Sequence, residues 1–188
     1  MESVTFVSYA LGLDRGRWVR LNRVSLWPAM ALVVVASVVM AWSRFGGVAL
    51  DAPRAFLRMV LVGVWGWLGL GAAIWLIAKL VRSSAGLADQ SRPAPIERTV
   101  ALVGFAHAPV LLLAVVILVA AGALQVFGLG QIVAVVVLGF WFPALLVAAS
   151  SSLFDLDPLI GVAVVALPYG IWLATVGRHL LQQVQHLL

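Results

Sequence analysis

From Thr99 to Ala123 the chain reads TVALVGFAHAPVLLLAVVILVAAGA, with no acid, no Lys and no Arg, and with His107 as the one titratable side chain. At about 1.5 Å of rise per residue, a helix of about 25 residues crosses the roughly 30 Å hydrocarbon core of a bilayer. The run therefore reads as a spanning helix, and a Gly104 to Pro109 step close to its middle reads as a kink.

The rest of the chain has the same character. Hydrophobic residues make up 64% of it and charged residues 10%, with a mean hydropathy of +1.12. A water-soluble domain carries about a quarter charged residues, so this composition points to a polytopic membrane protein of the all-α class. Cysteine is absent, which excludes a disulfide framework and thiolate chemistry. The net charge of +5 is carried at the ends of apolar runs, where it orients a membrane protein and touches anionic lipid headgroups; nucleic acid is not an expected partner. The excess of Arg over Lys, with abundant Ala, Val, Gly and Leu, reads as GC-rich bacterial coding.

Five spans are expected, at about 26–42, 59–78, 99–122, 132–149 and 159–177, within a transmembrane domain of residues 25–178. A basic, amphipathic segment, 1–24, precedes them with Trp18 as an interfacial anchor; a solvated tail is the plainer alternative. An amphipathic tail, 179–188, follows, and it should project or bend along the surface. Arg15, Arg17, Arg20, Arg23, Lys79, Arg82, Arg92 and Arg98 fall on one side, against Arg44, Arg54, Arg58 and Arg178 on the other. The positive-inside rule then puts the N-terminus in the cytoplasm and the C-terminus opposite, in a multi-pass protein of the cell (inner) membrane. Asp155 and Asp157 share the cytoplasmic face with Arg82, Arg92 and Arg98: they cap the turn before Pro158 or face those arginines.

Three further features bear on packing and chemistry. Gly66, Gly69 and Ala73 lie at i, i+3 and i+7, a small-residue face expected to contact another helix. Pro109, Pro143 and Pro168 fall near mid-bilayer and are expected to free the carbonyls of Phe105, Gly139 and Val164. Such carbonyls build binding sites in some transporters and are quietly satisfied by neighbours in many other helices. His107 is expected either to donate to a freed carbonyl on a neighbouring helix or, in the sharper reading, to relay protons. No metal-ligand spacing, phosphate loop or nucleophile motif occurs, so no metal, no cofactor and no enzymatic activity are expected.

The step Gly104-Phe105-Ala106-His107-Ala108-Pro109, behind a short basic loop and a Gly- and Trp-rich span, resembles the Yip-domain family of five-span membrane proteins. A Gly-(Phe or Tyr)-Ala-x-x-Pro step recurs in the third span of that family, and the resemblance runs from about Met59 to Val116. It implies a non-catalytic scaffold, adaptor or membrane-organising element with a cytoplasmic N-terminus. Eukaryotic members interact with Ypt and Rab GTPases through a longer region carrying an acidic Asp-Leu-x-Gly-Pro motif. Here the nearest text is Leu26-Trp27-Pro28, without acid or glycine, which argues against small-GTPase binding. The expected partners are membrane lipids and a second copy or another membrane protein. The alternative is a small permease or channel for an apolar or lipidic solute, with a midplane site near His107 and the kinked helices.

Overall fold

The computed structural model describes residues 26–45, 53–84, 94–123 and 129–178. The basic segment 1–24, Arg92 and the tail 179–188 lie outside them. All regular structure in the described residues is helical: α1 (Leu26–Phe45), α2 (Pro53–Ser84), α3 (Ile96–Ala106), α4 (Ala108–Ala123), α5 (Leu129–Val136), α6 (Phe142–Phe154) and α7 (Pro158–Trp172). A π-helical turn, Val137–Trp141, joins α5 to α6, and a second, Leu173–Gly177, extends α7.

Four stretches are long and apolar enough to cross a membrane: Pro53–Ser84, Ile96–Val116, Val133–Phe154 and Pro158–Val176. Leu26–Trp42 is a shorter apolar segment. Large apolar side chains cover the outside, among them Trp65, Phe140, Leu159 and Leu167, each more than 60% exposed. That surface suits lipid and would be untenable over such an extent in water. The protein is a helical membrane protein.

The interior follows from helical periodicity. In α1 the buried residues are Ala29, Val33, Ala36, Met40 and Ala41, and in α2 Trp67, Leu70, Gly71, Ile74, Ala78 and Arg82, each a stripe that advances by three to four residues. Every residue of α3 from Thr99 to Ala106 except Phe105 is buried, so this helix is the hub. It packs against α1, α2 and α6, while α2 also meets α7, and α6 and α7 pair. Between that last pair, Asp155 takes a left-handed conformation (φ 53°, ψ 48°) that a short polar side chain tolerates. Asp157 then caps α7, accepting from the N–H of Leu159 at 2.9 Å, with Pro158 in the first turn.

Candidate functional site

The span Ile96–Val116 breaks at His107. Its backbone N–H turns back to the carbonyl of Gly104 at 3.1 Å, a tightened i−3 bond. In a regular helix that N–H would serve Val103, so the Val103 carbonyl loses its ordinary donor. The imidazole of the same residue replaces it: Nδ1 lies 2.7 Å from Val103 O. A carbonyl can only accept, so Nδ1 carries the hydrogen of this bond. The expected partner, a carbonyl on a neighbouring helix, is thus corrected to one on the histidine's own helix, because the break exposes an acceptor within reach of its own ring. Gly104 has a different task. A Cβ there would meet the Ala29 Cβ at 2.8 Å and Trp67 Nε1 at 3.1 Å. Its missing side chain admits α1 and Trp67 against α3, where the indole donates to Val100 O at 2.8 Å.

The span Val133–Phe154 is distorted by other means. In the π-helical turn the N–H of Phe142 bonds the carbonyl of Val137, five residues back. In that register the N–H missing at Pro143 would have served Leu138, not Gly139 as the α-helical count expects. The Tyr169 hydroxyl supplies the absent donor by bonding Leu138 O from α7. Pro168 lies inside α7 as expected, one residue before that tyrosine. In the π-helical turn that follows, the Thr175 hydroxyl covers Ile171 O at 2.8 Å.

These distortions bring four rings together. His107 meets Phe142 edge-on at 4.7 Å between centroids and Trp172 at 5.9 Å. Phe142 in turn packs against Tyr169 at 5.7 Å and Trp172 at 5.1 Å, and the last two stack at 5.8 Å. Edge-to-face pairs of this kind contribute about 0.5–1.5 kcal/mol each beyond their burial. Pro109 and Pro168 are buried and Pro143 is half-buried. Phe142, Tyr169 and Trp172 were not singled out in the sequence. Their signal is adjacency: Phe142 precedes one span-breaking proline, Tyr169 follows another, and Trp172 stands one turn beyond Tyr169 on the same face. Among the described residues no group of three His, Cys, Asp or Glu side chains could hold a metal ion.

The other expected sites divide. Gly66 does admit the last span, since a Cβ there would run into Val176 and lie 3.3 Å from Trp172 Nε1. Ala73 is half-buried, but Gly69 is exposed, and a Cβ on it would meet nothing within 4 Å. The tight approach between α2 and α3 belongs to Gly71, where a Cβ would stand 3.0 Å from the Val100 Cα. The small-residue face is therefore rotated from the one expected, following the buried stripe through Trp67, Leu70 and Ile74. At the opposite end from Phe45, the Arg82 guanidinium is buried and donates to Phe154 O, the carbonyl end of α6. Arg98, Asp155 and Asp157 are exposed there.

A cleft of about 360 Å³ lies among α1, α2, α4 and the end of the last helix, on the Phe45 side of the kink. Val33, Met40, Val62, Val110 and Val176 give it an apolar lining, Ser37 adds a hydroxyl, and His107 stands at its inner end. Ala55 and Arg58, both exposed, stand at its outer end. Its volume falls within the range of small-molecule sites. No protein-family model, curated protein or solved structure matches the chain.

Proposed function

We propose that this is a non-catalytic, Yip-like integral membrane protein that acts as a scaffold, adaptor or membrane-organising element. Its N-terminus is cytoplasmic, it resides in the inner membrane, and it has five spans. The fifth is α1, whose 20 residues rise about 30 Å and carry the exposed Trp27 and Trp42 near its ends. The family reading rests on the Gly104-to-Pro109 step, whose glycine admits Ala29 of α1 against α3 and whose His-Ala-Pro is the break.

One observation carries the functional reading. At two distortions a carbonyl without its ordinary backbone donor is taken by the chain's own side chains, Val103 by His107 and Leu138 by Tyr169, and Thr175 adds a bond to Ile171 O. Backbone groups satisfied in this way hold a fixed shape and offer a hydrophilic solute little to bind. The permease reading draws its support from the cleft that ends at His107. Proteoliposomes decide between them. A scaffold gives proton and solute fluxes equal to those of empty vesicles. A pH-dependent flux that disappears in a well-folded His107→Asn variant would move the protein to the transporter class.

A further inference from the structure

We infer that the cleft among α1, α2, α4 and the end of the last helix is a binding site for one anionic phospholipid, with its phosphate on Arg58 and one acyl chain running inward to His107. The inference needs the chain to lie in a bilayer; it does not depend on the scaffold reading.

Depth is the first argument. The uncharged part of α2 begins at Met59 and runs to Ala78, about 30 Å of helix, so Arg58 stands at the boundary between hydrocarbon and headgroups. At the other end of the cleft, His107 follows the 11 residues of α3, about 16 Å from that helix's start and so close to the middle of the membrane. The cleft therefore extends from phosphate level to the midplane, the depth of one leaflet. That is the depth of an acyl chain anchored by its headgroup.

Chemistry is the second. The lining between Arg58 and His107 is mostly apolar, so an acyl chain can leave the surrounding lipid for it without stranding in polar surroundings, while the hydrophobic gain over bulk lipid is nil. Charge complementarity selects the headgroup. Arg58 is the one charged residue of the lining, and Arg54 stands one turn farther out on the same helix face. No acid lines the cleft among the described residues. A guanidinium at that level pairs with a phosphate oxygen in the geometry that suits it best. Gly63 sits directly against Ser37, where α1 and α2 touch, and Val110, Trp172 and Val176 close the cleft behind that contact, so the space left for the chain is narrow.

Native mass spectrometry of the full-length protein, with phosphatidylglycerol and phosphatidylcholine of equal chain length added in competition, tests the assignment. The wild type should retain phosphatidylglycerol about fivefold better, which corresponds to about 1 kcal/mol for one arginine at the surface. Arg58→Gln should bring the two lipids to parity, while Arg98→Gln, at the other end of the bundle, should leave the preference intact. Val62→Phe, which narrows the slot, should lower retention of both lipids. A phosphatidylglycerol with a photoreactive chain terminus should label the peptide containing His107 and Val110. Equal retention of both lipids by the wild type, or an unchanged preference in Arg58→Gln, would overturn the site. Labelling confined to outward residues such as Trp65 and Leu76 would do the same by showing surface lipid only, and so would occupancy by detergent that phosphatidylglycerol does not displace.

Discussion

The imidazole of His107 stands on the carbonyl of Val103 where the backbone N–H of the same residue would be in an unbroken helix. The residue at which the span Ile96–Val116 breaks thus also repairs the break. Asparagine places a donor nitrogen on Cγ, as Nδ1 is placed; leucine fills space but cannot donate. His107→Leu should lower stability by about 1–3 kcal/mol, the cost of a buried acceptor without its donor, and His107→Asn should lose less. Thermal unfolding of the two variants in detergent measures the difference. Equal stability would mean that the bond contributes nothing.

Tyr169→Phe removes one oxygen and leaves the ring packing against Phe142 and Trp172. The Leu138 carbonyl then lacks its donor in a buried π-helical turn. A loss of about 1–3 kcal/mol is expected. Amide hydrogen exchange should quicken across Val137–Trp141 and remain unchanged in α3.

Glycines only two residues apart should behave oppositely. At Gly71 a new side chain would press on the Val100 backbone, an overpacking that costs about 1–3 kcal/mol. At Gly69 there is open space toward lipid. Gly71→Leu should therefore lower the unfolding temperature in detergent, and Gly69→Ala should leave it unchanged or slightly raised.

Topology is accessible to labelling because the sequence has no cysteine. Ser84→Cys should be shielded from an impermeant thiol reagent in intact cells, and Ser43→Cys should react. The reverse pattern would invert the orientation.

Arg82 should tolerate lysine poorly. Its guanidinium reaches the last carbonyl of α6 from a buried position, and a shorter-reaching ammonium offers one compact charge instead of a fork. A loss of about 1.5–3 kcal/mol in Arg82→Met, the range for a hydrogen bond to a charged group, should appear as earlier unfolding.

Much of this was legible in the sequence, and the gaps have physical causes. Run lengths give the helices, and a lone histidine in an apolar run draws attention wherever it falls. The prolines announce distortion but not its register. Counting four residues back from Pro143 points to Gly139, whereas the π-helical turn moves the vacancy to Leu138. That shift also decides which aromatic turns inward: Phe140 is 70% exposed and Phe142, two residues on, is fully buried. Composition cannot distinguish the two, because lipid and protein interior are alike apolar. Gly66 packs as expected, but Gly69 does not, for the same reason. Gly69 and Gly71 look equivalent until the buried stripe of α2 is known.

The bond between Tyr169 and Leu138 also imposes an order of events during synthesis. The two residues are separated by 31 positions, so at about 5–20 residues per second the carbonyl emerges roughly 2–6 seconds before the hydroxyl that will serve it. In lipid an acceptor without a donor costs several kcal/mol. Pro143 leaves one such acceptor whichever winding its helix takes, Gly139 O in an α-helix and Leu138 O in the π-helical turn, so the register that Tyr169 can serve gains its advantage only when the final helix arrives. A nascent chain halted before Tyr169 should show faster exchange at Val137–Trp141 than the finished protein does. The last element to be made would then be the one that bends an element already in place.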